Sequence, residues 1–143
     1  MPLPNREYRD FNLSFLSHPT TKDIQVLSGP EAVKRSIKNL VLTNFYERPF
    51  QPKLASGVTN RLFEPVNTLT SQQIRQDILD VVKYYEPRAK FVEVFVTENS
   101  NAADSYVYVR GTPDLTQYRV DITFQIINLI TPVELSLFLK RTR

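Results

Sequence analysis

Two carboxylates stand out as groups able to do chemistry. Glu64 and Glu86 each lie directly before a proline, in a chain with one histidine and no cysteine. Two carboxylates across a cleft are the equipment of a glycoside hydrolase, one as acid and the other as base or nucleophile. Glu86 is poorly suited to be the acid, because Arg88 stands two residues on and a nearby guanidinium stabilises the ionised form. His18, ahead of Pro19 in a turn-like segment, has no partner for base catalysis. Cysteine is absent, which removes disulfides and thiolate metal ligation and suits a reducing compartment. The chain has no phosphate-binding glycine loop, dinucleotide fingerprint, histidine metal cluster or nucleophile elbow. Asp77, Asp80, Asp104, Asp114 and Asp121 follow no metal-binding pattern. The expectation is a protein without catalytic residues, metal or cofactor.

Glu86 and Arg88 remain as a carboxylate and a guanidinium around a fixed Pro87. In an extended segment, side chains two apart point the same way, so the two are expected to stand together. Pro87 biases Glu86 away from the α region, which places the end of a helix at or just before Glu86. The pair is therefore read in two ways, as an internal ion pair that stops a helix or as a rigid anchor for a neighbouring chain.

The elements that position this corner are legible from spacing. Ile74, Ile78, Val81, Val82 and Tyr85 recur at helical intervals behind a capping box at Thr70–Gln73. An earlier capping box, Ser28 with Glu31, opens a helix whose apolar stripe is Val33, Ile37, Leu40 and Val41. Its other side is basic, with Lys34, Arg35 and Lys38. Between the helices, residues 44–69 carry three prolines but too many apolar side chains for a disordered loop, so an ordered connection with a helical turn near Thr59–Phe63 is expected. After the corner, alternation marks three strands. Val92, Val94 and Val96 share a face of the first, Tyr106 and Tyr108 a face of the second, and Val120, Ile122, Phe124 and Ile126 a face of the third. Val133, Leu135, Leu137 and Leu139 alternate in a last strand, read either as an ordinary paired strand inside the domain or as a strand at the sheet edge, where unpaired backbone groups invite a strand from another chain. Deleting residues 133–143 is expected to leave a folded domain.

In the N-terminal arm, residues 1–27, Phe11, Leu13 and Phe15 alternate as a short strand with one buried face, and residues 23–27 form a second. Residues 28–143 read as a single α+β domain, two main helices on a mostly antiparallel sheet of about four strands. The balance of 18 basic and 15 acidic residues gives a formal charge of +3, which hardly indicates a nucleic-acid partner. No apolar run approaches a membrane span, and Met1–Pro4 lacks the apolar region of a signal peptide, so a soluble intracellular protein is expected.

Two stretches together carry a family resemblance. Arg48-Pro49-Phe50-Gln51-Pro52 is followed by Leu62-Phe63-Glu64, and Tyr85-Glu86-Pro87-Arg88 comes at the helix-to-strand transition. In these motifs and their order, residues 28–140 resemble the small baseplate wedge proteins of contractile phage tails, T-even myophages above all, often labelled lysozyme-like and shared with type VI secretion baseplates. Relatives commonly have a glycine where Ala55 stands, and the arm matches less clearly. The resemblance implies a structural role without muralytic activity. It implies six copies in the inner baseplate of the virion, assembled in the host cytoplasm, and no membrane or specific nucleic acid as partner. It further implies that Glu86, Pro87 and Arg88, with Arg48, Pro49 and Phe50, grip the helical core of the wedge. The strand bearing Val133, Leu135, Leu137 and Leu139 would then nucleate the first ring of the contractile sheath. The alternatives are a basic nucleic-acid-binding module using Lys34, Arg35, Lys38, Tyr106 and Tyr108, and, more remotely, a peptidoglycan hydrolase.

Overall fold

The computed structural model describes residues 8–65, 67–98, 117–127, 129 and 131–140. The chain begins with β1 (Arg9–Phe11) and β2 (Val26–Ser28), paired antiparallel. Then come α1 (Pro30–Leu42), a single turn α2 (Val58–Arg61), the long α3 (Thr68–Tyr85), and the strands β3 (Ala89–Glu98), β4 (Gln117–Ile126) and β5 (Val133–Lys140). The last three form an antiparallel sheet in the order β3-β4-β5, so the class is α+β. The strand expected around Tyr106–Val109 lies outside the described residues.

One apolar core joins the layers. Val33, Ile37 and Val41 of α1 and Ile74, Ile78 and Val82 of α3 meet Val94, Val120, Ile122, Phe124 and Ile126 of the sheet. These are the positions that period 3.6 and period 2 assign to inner faces. Phe91 and Phe95 stay outside, and Phe91 sits at a register shift between Lys90 and Glu93 with φ 50°.

Both helix starts differ from the expected capping boxes. Ser28 belongs to β2, where it faces Arg9, so α1 opens at Gly29 and Pro30, and Glu31 pairs with Lys34 Nζ at 3.0 Å. In α3 the cap is Asn67, whose Oδ1 accepts the Thr70 backbone N–H at 2.7 Å. Thr70 lies inside the first turn, and its hydroxyl donates to the Pro65 carbonyl. The asparagine, at extended φ −155°, serves the orphan amide of Thr70 itself, whereas a cap at Thr70 would have served the amides two or three residues further on. Asn67→Ala is therefore expected to cost about 1 kcal/mol in a denaturant melt, whereas Gln73→Ala should change little.

Two other expectations need correction. Phe11, Leu13 and Phe15 are at least half exposed and bury no face. Asn12 stops β1 instead: its Oδ1 accepts from Ser14 N–H at 3.1 Å and its carbonyl from Phe15 N–H at 3.0 Å, a local turn that overrides alternation. Deletion of residues 133–143 would not leave the domain intact, because Val133, Leu137 and Leu139 are buried in the main core. The connection from 43 to 57 is packed only in its second half. Leu54, Ala55 and Ser56 are buried, while Tyr46 and Phe50 project outward.

Candidate docking corner at the end of the long helix

α3 ends where expected. The Glu86 N–H still donates to the Val82 carbonyl at 2.9 Å, and then φ −122°, ψ 74° takes Glu86 out of the helix. Pro87 enforces this exit, since its ring disfavours the α region for the residue before it. Residues 86–89 form a turn closed by Ala89 N–H to Glu86 C=O at 3.1 Å, not the extended segment expected. The turn nonetheless brings the two charges together. Arg88 Nη2 donates to Glu86 Oε2 at 2.6 Å, and Nε donates to Oε1, a bidentate pair. The Arg88 carbonyl accepts from Ile127 N–H at 3.2 Å, which ties the corner to the far end of β4.

Burial makes the pair asymmetric. The Glu86 side chain is 2% exposed and that of Arg88 is 28% exposed. A carboxylate so enclosed is tolerable only because a fork of two N–H donors satisfies both oxygens. The Glu86 hydrogen bonds, opposed by burial, hold the guanidinium above its ordinary value. The corner thus combines an internal ion pair with a cation that still reaches the surface. Pro87 also lines a groove of ≈ 630 Å³ between α3 and β3, with Leu79, Lys83, Phe91 and Val92 among its walls.

The stretch that follows Arg48, Pro49 and Phe50 is fastened to the same half of α3 through Lys53 and Leu54. Tyr85 Oη donates to the Lys53 carbonyl at 3.3 Å, and Leu54 clusters with Leu40 and Val81. Phe50 itself is 98% exposed, a large apolar ring with none of the described residues over it. Both motifs are therefore tied to the C-terminal part of α3. The β5 residues are placed differently. Val133, Leu137 and Leu139 point into the core and Leu135 is half buried, so those side chains are not available to a partner. What β5 offers is its backbone, since it is the last strand of the described sheet, and its outer face with Phe138, over which Arg119 lies at 6.0 Å.

The residues nominated for other chemistry are engaged. Glu64 accepts from Arg61 Nη1 at 3.0 Å, while Arg61 Nε reaches Asp77 at 3.2 Å. Each nominated carboxylate is thus held by an arginine. His18 Nδ1 accepts from the backbone N–H of Thr20 and Thr21, so it shapes its turn. On α1, Lys34 pairs with Glu31, and Arg35 Nη2 approaches Asn12 Oδ1 at 3.4 Å. Tyr106 and Tyr108 lie outside the described residues. Among the described residues no group of three or more His, Cys, Asp or Glu side chains could hold a metal ion, and no helix is long and apolar enough to cross a membrane. Sequence reasoning missed Tyr8, whose ring lies 5.1 Å from the Arg88 guanidinium; its segment has no period that could have flagged it.

Comparison with known proteins agrees with this architecture. Over 67 residues the chain is 31% identical to baseplate wedge protein gp25 of Enterobacteria phage T4, a match covering 47% of this chain and about half (51%) of that protein's length. Among solved structures, a Geobacter sulfurreducens protein described as a candidate tail lysozyme superposes with TM-score 0.62 at 24% identity, covering 83% of this chain and 97% of that one. A chain of the anti-feeding prophage baseplate superposes with TM-score 0.65 at 21% identity, covering 87% and 89%. These two likenesses speak for the fold. The family description matches residues 27–127, a span that runs from the end of the arm through both motifs to the end of β4, and on that match the chain belongs to the baseplate wedge protein gp25 family.

Proposed function

We propose that this protein is a structural component of the baseplate wedge of a contractile tail, one that docks onto neighbouring wedge proteins through the Glu86-Pro87-Arg88 corner and the adjoining Arg48-Pro49-Phe50 loop. The observation that carries this reading is the corner itself. A buried carboxylate fixes a partly exposed guanidinium by two hydrogen bonds at a proline turn, a geometry prepared for recognition at little entropic cost. The neighbouring Phe50 supplies the exposed aromatic anchor that interface centres favour. Membership in the gp25 family and the likeness to a baseplate chain support the setting, with the tail baseplate as location and other baseplate proteins as partners. Six copies per baseplate, a helical wedge core as the surface gripped, and assembly in the host cytoplasm complete the proposal.

Among the described residues β5 is an edge strand, which suits strand addition by the sheath protein, since such a strand offers backbone donors and acceptors along its outer side. Catalysis is not part of this reading, because the two nominated carboxylates are both arginine-bound.

Glu86→Ala, Arg88→Ala and Phe50→Ala can be compared for melting of the isolated chain and for incorporation into co-expressed wedges. Phe50→Ala is expected to melt within about 0.5 kcal/mol of wild type yet lose incorporation, since an exposed side chain contributes little to folding. Large melting losses for the charge variants together with normal incorporation of all three would sink the docking reading.

A further inference from the structure

The Arg88 guanidinium has a neighbour from outside both motifs. The Tyr8 ring lies 5.1 Å from it, and the Tyr8 carbonyl accepts from Gly29 N–H at 2.8 Å, next to the start of α1. Asp10, two residues further, adds negative charge that favours the protonated guanidinium. Apart from Tyr8, which is partly buried against the main core, the arm carrying these groups is thinly attached. β1 and β2 pair over three residues each, and Phe11, Phe15, Leu16 and Val26 are half exposed or more. The contact of Arg35 with Asn12, which also holds the arm, is long at 3.4 Å. Segments that bury so little apolar surface open locally at a small fraction of the global unfolding free energy.

We propose that the arm is a latch over the docking corner: in the free chain Tyr8 covers a face of Arg88, and a partner segment bearing an aromatic ring beside a carboxylate takes its place on docking. This rests on the docking reading of the corner. The chemistry of the partner follows from what it displaces, because a competitor for the guanidinium must offer what Tyr8 and Asp10 offer, a ring for its face and a negative charge nearby.

The test uses full-length Tyr8→Ala and Tyr8→Phe. In the free protein, hydrogen exchange of the arm amides at residues 9–11 and 25–28 should quicken roughly 2- to 30-fold in Tyr8→Ala, the range that a cation–π contact spans. Tyr8→Phe, which keeps the ring, should stay near wild type, and amides of α3 and β4 should be unchanged in both. Incorporation of Tyr8→Ala into wedges co-expressed from the same tail should be at least as fast as that of wild type. Unchanged arm exchange in Tyr8→Ala overturns the latch. So does slowed incorporation of the folded variant, which would make Tyr8 part of the docked interface. Equal incorporation of wild type and Arg88→Ala overturns the docking reading and the latch with it, whereas the two preceding results strike the latch alone.

Discussion

Arg88→Ala is expected to lower the folding free energy by ~3 to 5 kcal/mol, and Glu86→Ala by less. The ordering follows from burial. Without Arg88, the 2%-exposed carboxylate of Glu86 is left in the interior with no counter-charge, and its backbone is pinned by the turn to Ala89 and by α3. Without Glu86, the guanidinium is already 28% exposed and can turn toward water. For a domain of this size the Arg88→Ala loss corresponds to a fall in melting temperature on the order of 10 °C, measurable by calorimetry. Equal losses for the two variants would mean that the carboxylate is not enclosed as described. The guanidinium adds no pH slope in the neutral range. Its folded value is raised, so its contribution is full below the ordinary guanidinium value and is lost only as pH rises through the raised one.

Deleting residues 133–143 is expected to abolish cooperative unfolding. Three of the lost side chains, Val133, Leu137 and Leu139, belong to the main core, and removal would uncover Val120, Ile122 and Phe124 across the whole length of β4. A single Leu139→Ala, at a site 3% exposed, should already cost about 2 to 5 kcal/mol. Near-ultraviolet circular dichroism with a thermal melt separates the outcomes. A truncated chain that keeps a sharp transition would show β5 to be an appended arm. If β5 is core, a sheath strand adds beside it and cannot replace it, so the edge serves assembly only while the strand stays paired to β4.

The regular elements were legible because their burial is one-sided and continuous. Val33, Ile37 and Val41 repeat as a helix does, and Val120, Ile122, Phe124 and Ile126 as a strand does, and all seven are buried in the one core. The helix caps were not legible to the residue, since Ser28 and Thr70 carry good capping side chains but tertiary pairing and Asn67 decide who caps. Phe15 failed for a related reason: its alternation with Leu13 was real, yet Asn12 and Ser14 made a turn cheaper than a strand. The corner was read correctly as a meeting of Glu86 and Arg88, although a turn brings them together where an extended segment was expected. Sequence could not separate its two readings, because an ion pair and an anchor use the same residues. The structure describes a buried carboxylate and a partly exposed cation, so the pair has an internal half and an outward half. Tyr8 was invisible, since a lone ring in an aperiodic arm acquires meaning only from where the chain folds back.

The docking claim is tested most directly by a reconstruction of the assembled tail baseplate at side-chain resolution, read at one residue. Arg88 is expected to be covered by another chain, with an acceptor of that chain within ~3 Å of its guanidinium and Glu86 still bound on the inner side. An Arg88 left facing solvent, with no other chain against residues 86–88, would contradict it.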